Sequence, residues 1–222
     1  MGQRYFKSRT EAGQLALNSF GQFSGKNNTI IALDTDSLII GAQLSQYLQS
    51  PLQLYLSNEI EVPGGLKIGG VNTEGGFSYN SSMAESETDY VYQEFHGYIE
   101  ESKRTNLSQL NRELGDKTVI RRDLIRNRNI IFVADAMTDT IMLDSALEYI
   151  KSVAYKSVAM CAPVVSSTVV SPLKQRTDYI YYSSTIDFFY GKDHYFEDNK
   201  VFERDEGISL VHNYLKLWPS VA

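Results

Sequence analysis

Two short loops concentrate the residues whose types could do chemistry. Asp34-Thr35-Asp36-Ser37 follows the apolar run TIIAL, and Asp135-Ala136-Met137-Thr138-Asp139-Thr140 follows IIFVA. Carboxylates interleaved with hydroxyls at such a place have two uses. They can surround a hard cation with oxygen ligands, or they can accept the free N–H groups at the start of a helix. If the two loops meet, Asp34, Asp36, Asp135 and Asp139 form an acidic crevice suited to a metal ion or a cationic ligand. If each loop serves its own helix, the same aspartates are caps and turn residues. The residues alone leave both readings open.

Other reactive side chains point less far. His96, His194 and His212 lack the i,i+4 pairing of a zinc-binding helix. Cys161 stands in an apolar run and reads as a core thiol with no evident base beside it. Arg121, Arg122, Arg126 and Arg128 could contact a phosphate or a partner, but read first as a solvated loop. Phe188, Phe189, Tyr190, Tyr195, Phe196 and Phe202 surround Gly191-Lys192-Asp193-His194. Such a cluster packs a hood or an interface, or stacks on a planar ligand.

The elements that must position these residues follow from periodicity. Apolar residues at helical spacing over Glu11–Phe20, Leu38–Leu48 and Thr140–Ala154 alternate with the strand-like runs TIIALD, PLQLYLS, RNIIFVAD, KSVAMCAPVV and DYIYYSS. A short Ser/Pro-rich helix precedes DYIYYSS, and ISLVHNYLKLW forms a last helix. A strand, a crossover helix and a second strand favour a parallel sheet, so the chain reads as α/β, a parallel sheet flanked by helices. Glycine is densest around 60–82, where short alternating runs predict hairpins or a flap outside the main sheet. From Glu85 to Leu114 an apolar stripe predicts one long helix or two shorter ones. The whole is expected as a single domain, with the 60–82 flap and a C-terminal aromatic segment around 186–218. In an open sheet of this kind ligands gather at the carboxyl ends of the strands, which is where both aspartate loops fall.

Composition sets bounds on partners. The chain has 222 residues, 42% of them hydrophobic, and a formal charge of −6. It is long enough to bury a core without disulfides, and one cysteine cannot form an internal one. An acidic balance gives no bulk basic field for nucleic acid or an anionic membrane. With no apolar stretch near the ~20 residues of a membrane span and no signal-like opening, the expected location is the cytoplasm.

The N-terminal Tyr5-Phe6-x-x-Arg9-x-Glu11-Ala12-Gly13, the Ala32-Leu33 strand end, Pro51-Leu52, Lys67-Ile68-Gly69-Gly70-Val71 and IIFVAD occur in an order that resembles the predicted phosphoribosyltransferases of bacteria, a type I phosphoribosyltransferase family. The resemblance runs from about residue 5 to about residue 200. It implies a Rossmann-like domain with a small hood, binding of phosphoribosyl pyrophosphate with magnesium, and a dimer. It also implies that an active enzyme would use Asp135 on the ribose, with Thr138 and Thr140 on phosphate.

Departures from the family pattern shape the functional expectation. Where the family has two acidic residues and a glycine-containing phosphate loop, this chain has Ala134, Asp135, Ala136 and then Asp139. Where the family has a PRGG-like pyrophosphate loop, it has Asp34-Thr35-Asp36-Ser37. Like charges about 6 Å apart at an effective dielectric of about 20 repel by roughly 3 kcal/mol, a hundredfold in affinity. Without glycine the backbone cannot readily aim several N–H groups at one anion. The expectation is a phosphoribosyltransferase-like protein whose catalysis has degenerated, acting as a binding or regulatory protein on a small-molecule or cation ligand. It is expected as a homodimer or beside an intact paralogue. An active enzyme using phosphoribosyl pyrophosphate and Mg is the rival.

Overall fold

The computed structural model describes residues 5–219. Along the chain, β1 (Phe6–Ser8) and α1 (Arg9–Leu17) precede β2 (Asn28–Ala32), α2 (Leu38–Leu48) and β3 (Leu52–Leu54). Then come β4 (Ser57–Val62), β5 (Leu66–Asn72), β6 (Phe77–Tyr79) and α3 (Glu85–Leu114). β7 (Asn129–Val133), β8 (Ala136–Met137), α4 (Ile141–Ile150), β9 (Ser157–Cys161) and β10 (Val164–Ser166) follow. α5 (Val170–Arg176), β11 (Tyr179–Tyr181), β12 (Ser184–Ile186), β13 (Phe196–Asp198) and α6 (Arg204–Leu215) complete it. Two compact units divide these elements, one made of the described residues 5–55, 117–138 and 153–219, the other of 56–116 and 139–152.

The first unit carries the expected α/β architecture. Its main sheet is wholly parallel in the order β3-β2-β7-β9-β11. Every residue of β2 is buried, as are all but the first of β7 and β9, which is why these strands read as continuous apolar runs rather than alternating ones. From β2 the chain steps to β3 on one side, and later strands add on the other through β7, so the strand order reverses between β2 and β7. Crevices for ligands open at such a reversal. β8, β10 and β12 form a small parallel sheet, and β1 pairs with β13.

Two elements differ from the expectation for physical reasons. α1 starts two residues early because Ser8 Oγ accepts the amide of Glu11 at 3.2 Å while Glu11 Oε2 accepts the amide of Lys7 at 2.6 Å. The helix then tightens into a 3₁₀ stretch over Asn18–Phe23. KSVAMCAPVV is not one strand. It breaks at Ala162-Pro163, since proline has no N–H to continue the ladder, and β10 leaves for the small sheet.

In the second unit the glycine-rich segment folds as an antiparallel sheet β4-β5-β6. Ile60, Val62 and Ile68 of this sheet pack with Val91 and Ile99 of α3 as a separate core. α3 runs 30 residues but departs from helical geometry at Phe95 (φ −109°, ψ 18°), so the single long helix carries a kink. α4 lies against β5, where Ile141 stands beside Gly70. Among the described residues no helix is long and apolar enough to cross a membrane.

Candidate functional site

The register of the main sheet brings two of the aspartate-bearing strand ends together. Ala32 pairs with Val133, and Leu33 donates to the Val133 carbonyl at 2.9 Å, so Asp34 and Asp135 each lie two residues past that last pair. Both are met by cations from distant parts of the first unit.

Asp135 is wholly buried and bound on both oxygens. Its Oδ2 accepts from Arg9 Nε at 3.1 Å and Nη2 at 3.0 Å, and its Oδ1 accepts the amide of Ala136 at 2.9 Å. Arg9 is itself 1% exposed; its guanidinium lies 4.5 Å from the centre of the Phe196 ring and 3.5 Å from Asp193. One of its nitrogens, Nη1, has no hydrogen-bond partner.

Lys192 comes from the 3₁₀ turn Lys192–Tyr195 and spans three carboxylates. Its Nζ is bonded to Asp34 and lies 3.0 Å from Asp36 and 3.4 Å from Asp135. Burial works against the lysine's charge, but Asp34, Asp135 and Asp36 outweigh it and hold its pKa above the ordinary lysine range. For Asp135 the balance goes the other way. Burial, reinforced by Asp34 and Asp36, pushes its carboxyl up to about 6, against the opposing pull of Lys192 and Arg9.

The remaining residues of the two loops have local tasks. Asp34 Oδ1 accepts the amide of Ser37 at 2.9 Å, and the buried Ser37 hydroxyl donates to the Asp34 carbonyl at 2.9 Å, closing the turn into α2. Thr35 packs on α6, where a Cβ on Gly207 would stand 2.8 Å from its methyl group. Thr138 ends the segment of the first unit that carries Asp135. Asp139 and Thr140 belong to the second unit, where Asp139 Oδ1 accepts the amide of Ile141 at 3.1 Å and Oδ2 pairs with Lys67 at 3.3 Å. The Thr140 hydroxyl donates to Asp144 at 2.8 Å. Among the described residues no three His, Cys, Asp or Glu side chains are grouped so as to hold a metal ion.

The structure thus gathers Asp34, Asp36 and Asp135 in one unit around Lys192, and adds Arg9. Sequence reading noticed both cations without giving them this role. Arg9 had a usable signal: it occupies the first position of a helix, where a positive charge opposes the macrodipole, so it needs a partner outside the helix. Lys192 had a weaker one, as a lysine set between the aromatic runs Phe188–Tyr190 and Tyr195–Phe196.

The other candidates take structural roles. Arg121 pairs with Asp123 and donates to the carbonyls of Leu215 at 3.2 Å and Trp218 at 2.8 Å, tying down the end of α6. His212 Nδ1 accepts the amide of Thr118 at 2.9 Å. Cys161 is fully buried in β9 and burial pushes its thiol well up, so it is held as an unreactive thiol. Iodoacetamide at pH 8 is expected to leave it unmodified in the native protein and to alkylate it in guanidinium; native labelling within minutes would show that β9 opens.

No protein-family model and no curated protein matches the chain. Solved phosphoribosyltransferase structures are among those that align with the chain. A purine phosphoribosyltransferase from Pyrococcus horikoshii Ot3 aligns at a TM-score of 0.44 and 13% identity, over 79% of this chain and 81% of that one. An adenine phosphoribosyltransferase from Thermoanaerobacter pseudethanolicus aligns at 0.46 and 9%, over 80% of each. TT1426 from Thermus thermophilus aligns at a TM-score of 0.73 and 17% identity, over 95% of this chain and 99% of that one. Agreement at that level across nearly the whole of both chains shows that this protein has the fold of TT1426.

Proposed function

We propose that this protein keeps a phosphoribosyltransferase-like fold but does not use phosphoribosyl pyrophosphate, and that it acts in the cytoplasm as a binding or regulatory protein. One observation carries the reading: each of the two strand-to-helix loops already seats an aspartate carboxylate on a backbone amide opening its helix, Asp34 on Ser37 before α2 and Asp139 on Ile141 in α4. A phosphate received at a helix N-terminus uses those same amides and the same end of the dipole. It would have to displace a covalently tethered anion whose local concentration it cannot match.

Charge adds to this. Around the carboxyl ends of β2 and β7, Arg9 and Lys192 face Asp34, Asp36 and Asp135, with Asp193 beside Arg9. Neither cation is left over for an incoming polyanion. What such a site can receive is a neutral or cationic group able to exchange hydrogen bonds with carboxylates and with the unpartnered Arg9 Nη1.

Calorimetric titration of the purified chain with phosphoribosyl pyrophosphate and magnesium tests the proposal. The expected result is no saturable heat at millimolar ligand. A micromolar Kd overturns the proposal and restores the enzyme reading, with Asp135 on the ribose.

A further inference from the structure

The segment that brings Lys192 to the strand ends is tethered firmly at both sides and weakly in its middle. On the N-terminal side Ile186 ends β12, which is paired with β10, and the Ser167 hydroxyl donates to Asp187 at 2.7 Å. On the C-terminal side Tyr195 is buried and donates to the Phe188 carbonyl at 3.1 Å, and Phe196 pairs with β1 and stacks on Phe6 at 5.6 Å. Between them the tip turns outward. Phe188 is 74% and Tyr190 69% exposed, and Gly191 takes φ +100°, a conformation closed to most side chains.

At the edges of the tip Phe189 stacks on Tyr195 at 6.0 Å and the Tyr5 hydroxyl lies in a hydrogen bond of 3.2 Å with His194 Nε2, while Phe188 and Tyr190 gain little from apolar burial. Lys192 is the side chain that reaches inward, with its ammonium on Asp34, Asp36 and Asp135. Asp193 reaches Arg9 from the same turn. We propose that residues 187–194 form a lid latched over the carboxyl ends of β2 and β7, with the Lys192 ammonium occupying the carboxylate cluster in place of an external group. This rests on reading those strand ends as the binding site. A ligand reaches the carboxylates only by releasing Lys192, and release frees the tip between its anchors at Ile186 and Phe196. The chain thereby inhibits its own site until a ligand that binds the open form shifts the balance.

Chymotrypsin reads the latch directly, since Phe188, Phe189 and Tyr190 are its sites and cleavage needs a locally unfolded stretch rather than mere exposure. Lys192→Ala is expected to be nicked in this segment about tenfold faster than the wild-type protein, as local opening becomes less costly. Ethylammonium at tens of millimolar, which supplies the missing ammonium, is expected to slow nicking of the variant and to leave the wild type unchanged, whereas tetramethylammonium, with no N–H to donate, has no such effect. Lys192→Arg keeps the slow rate. If Lys192→Ala does not show a folded far-ultraviolet circular dichroism spectrum, Asp36→Asn weakens the same latch from a partly exposed position and is expected to raise the rate to a smaller degree.

Nicking of the folded variants at the wild-type rate, or acceleration of Lys192→Ala that ethylammonium leaves untouched, overturns the latch. No phosphoribosyl pyrophosphate is present in this assay. A wild-type protein that binds that compound would therefore remove the functional reading without altering the nicking rates, and equal nicking rates would remove the latch alone.

Discussion

Arg9→Met is expected to lower stability at pH 8 by about 3–5 kcal/mol, seen as a fall in thermal midpoint on the order of 10 °C. The size follows from burial: Arg9 and Asp135 are 1% and 0% exposed, so removing the cation leaves a carboxylate with no solvent to turn to. The variant also loses the guanidinium stacked on Phe196. The effect carries a pH signature whose sign can be worked out. In the wild-type protein Asp135 is pushed up to about 6, above its unfolded value, so its contribution to stability is full below about pH 4 and is lost as pH rises through about 6. Without Arg9 the folded-state pKa rises further, and the carboxyl takes up its proton nearer neutrality. The deficit of Arg9→Met should therefore be smaller at pH 5 than at pH 8. Arg9→Met combined with Asp135→Leu, which replaces both charges by apolar groups, should recover more than half of the loss. Chemical denaturation of the three proteins at both pH values checks all three points. An Arg9→Met deficit below about 1 kcal/mol, or one equal at the two pH values, would show that the pair is hydrated in solution.

How far the site could be read in the sequence depends on the range of the interactions. The parallel sheet was legible because β2, β7 and β9 are buried on both faces and their residues are uniformly apolar. The aspartate loops were legible because turn chemistry is local: Asp34 and Ser37 are three residues apart and bond each other. The cations were not, because Arg9 reaches across 126 residues to Asp135 and Lys192 across 158 to Asp34. No spacing along the chain encodes those meetings. They arise from the pairing of β1 with β13, two three-residue strands too short to show a period. Asp139 is four residues from Asp135, yet it opens α4 in the second unit and has its own cation, Lys67.

Gly69→Ala is expected to lower stability by about 2–4 kcal/mol, while Gly70→Ala next to it changes stability by less than about 1 kcal/mol. The pair belongs to the Lys67-Ile68-Gly69-Gly70-Val71 stretch that supports the family resemblance, where glycines invite a ligand explanation. The sheet gives another. A Cβ on Gly69 would stand 2.2 Å from the Ser78 carbonyl oxygen and 2.8 Å from the Phe77 ring, so the backbone of β6 crosses the space a side chain needs. Relief requires β5 and β6 to separate where Gly69 pairs with Tyr79 and where Asn80 donates to the Ile68 carbonyl at 2.7 Å. At Gly70 the nearest atom is a methyl of Ile141 at 3.5 Å, ordinary contact that a Cβ meets without strain. Urea denaturation of the two variants, with hydrogen exchange at Tyr79 and Asn80 to localise the change, separates the explanations. Loss confined to Gly69→Ala, with faster exchange on β6, assigns the first glycine to close packing of strands. Equal and small effects at both positions would remove that account, and the glycines would then need a reason outside the sheet.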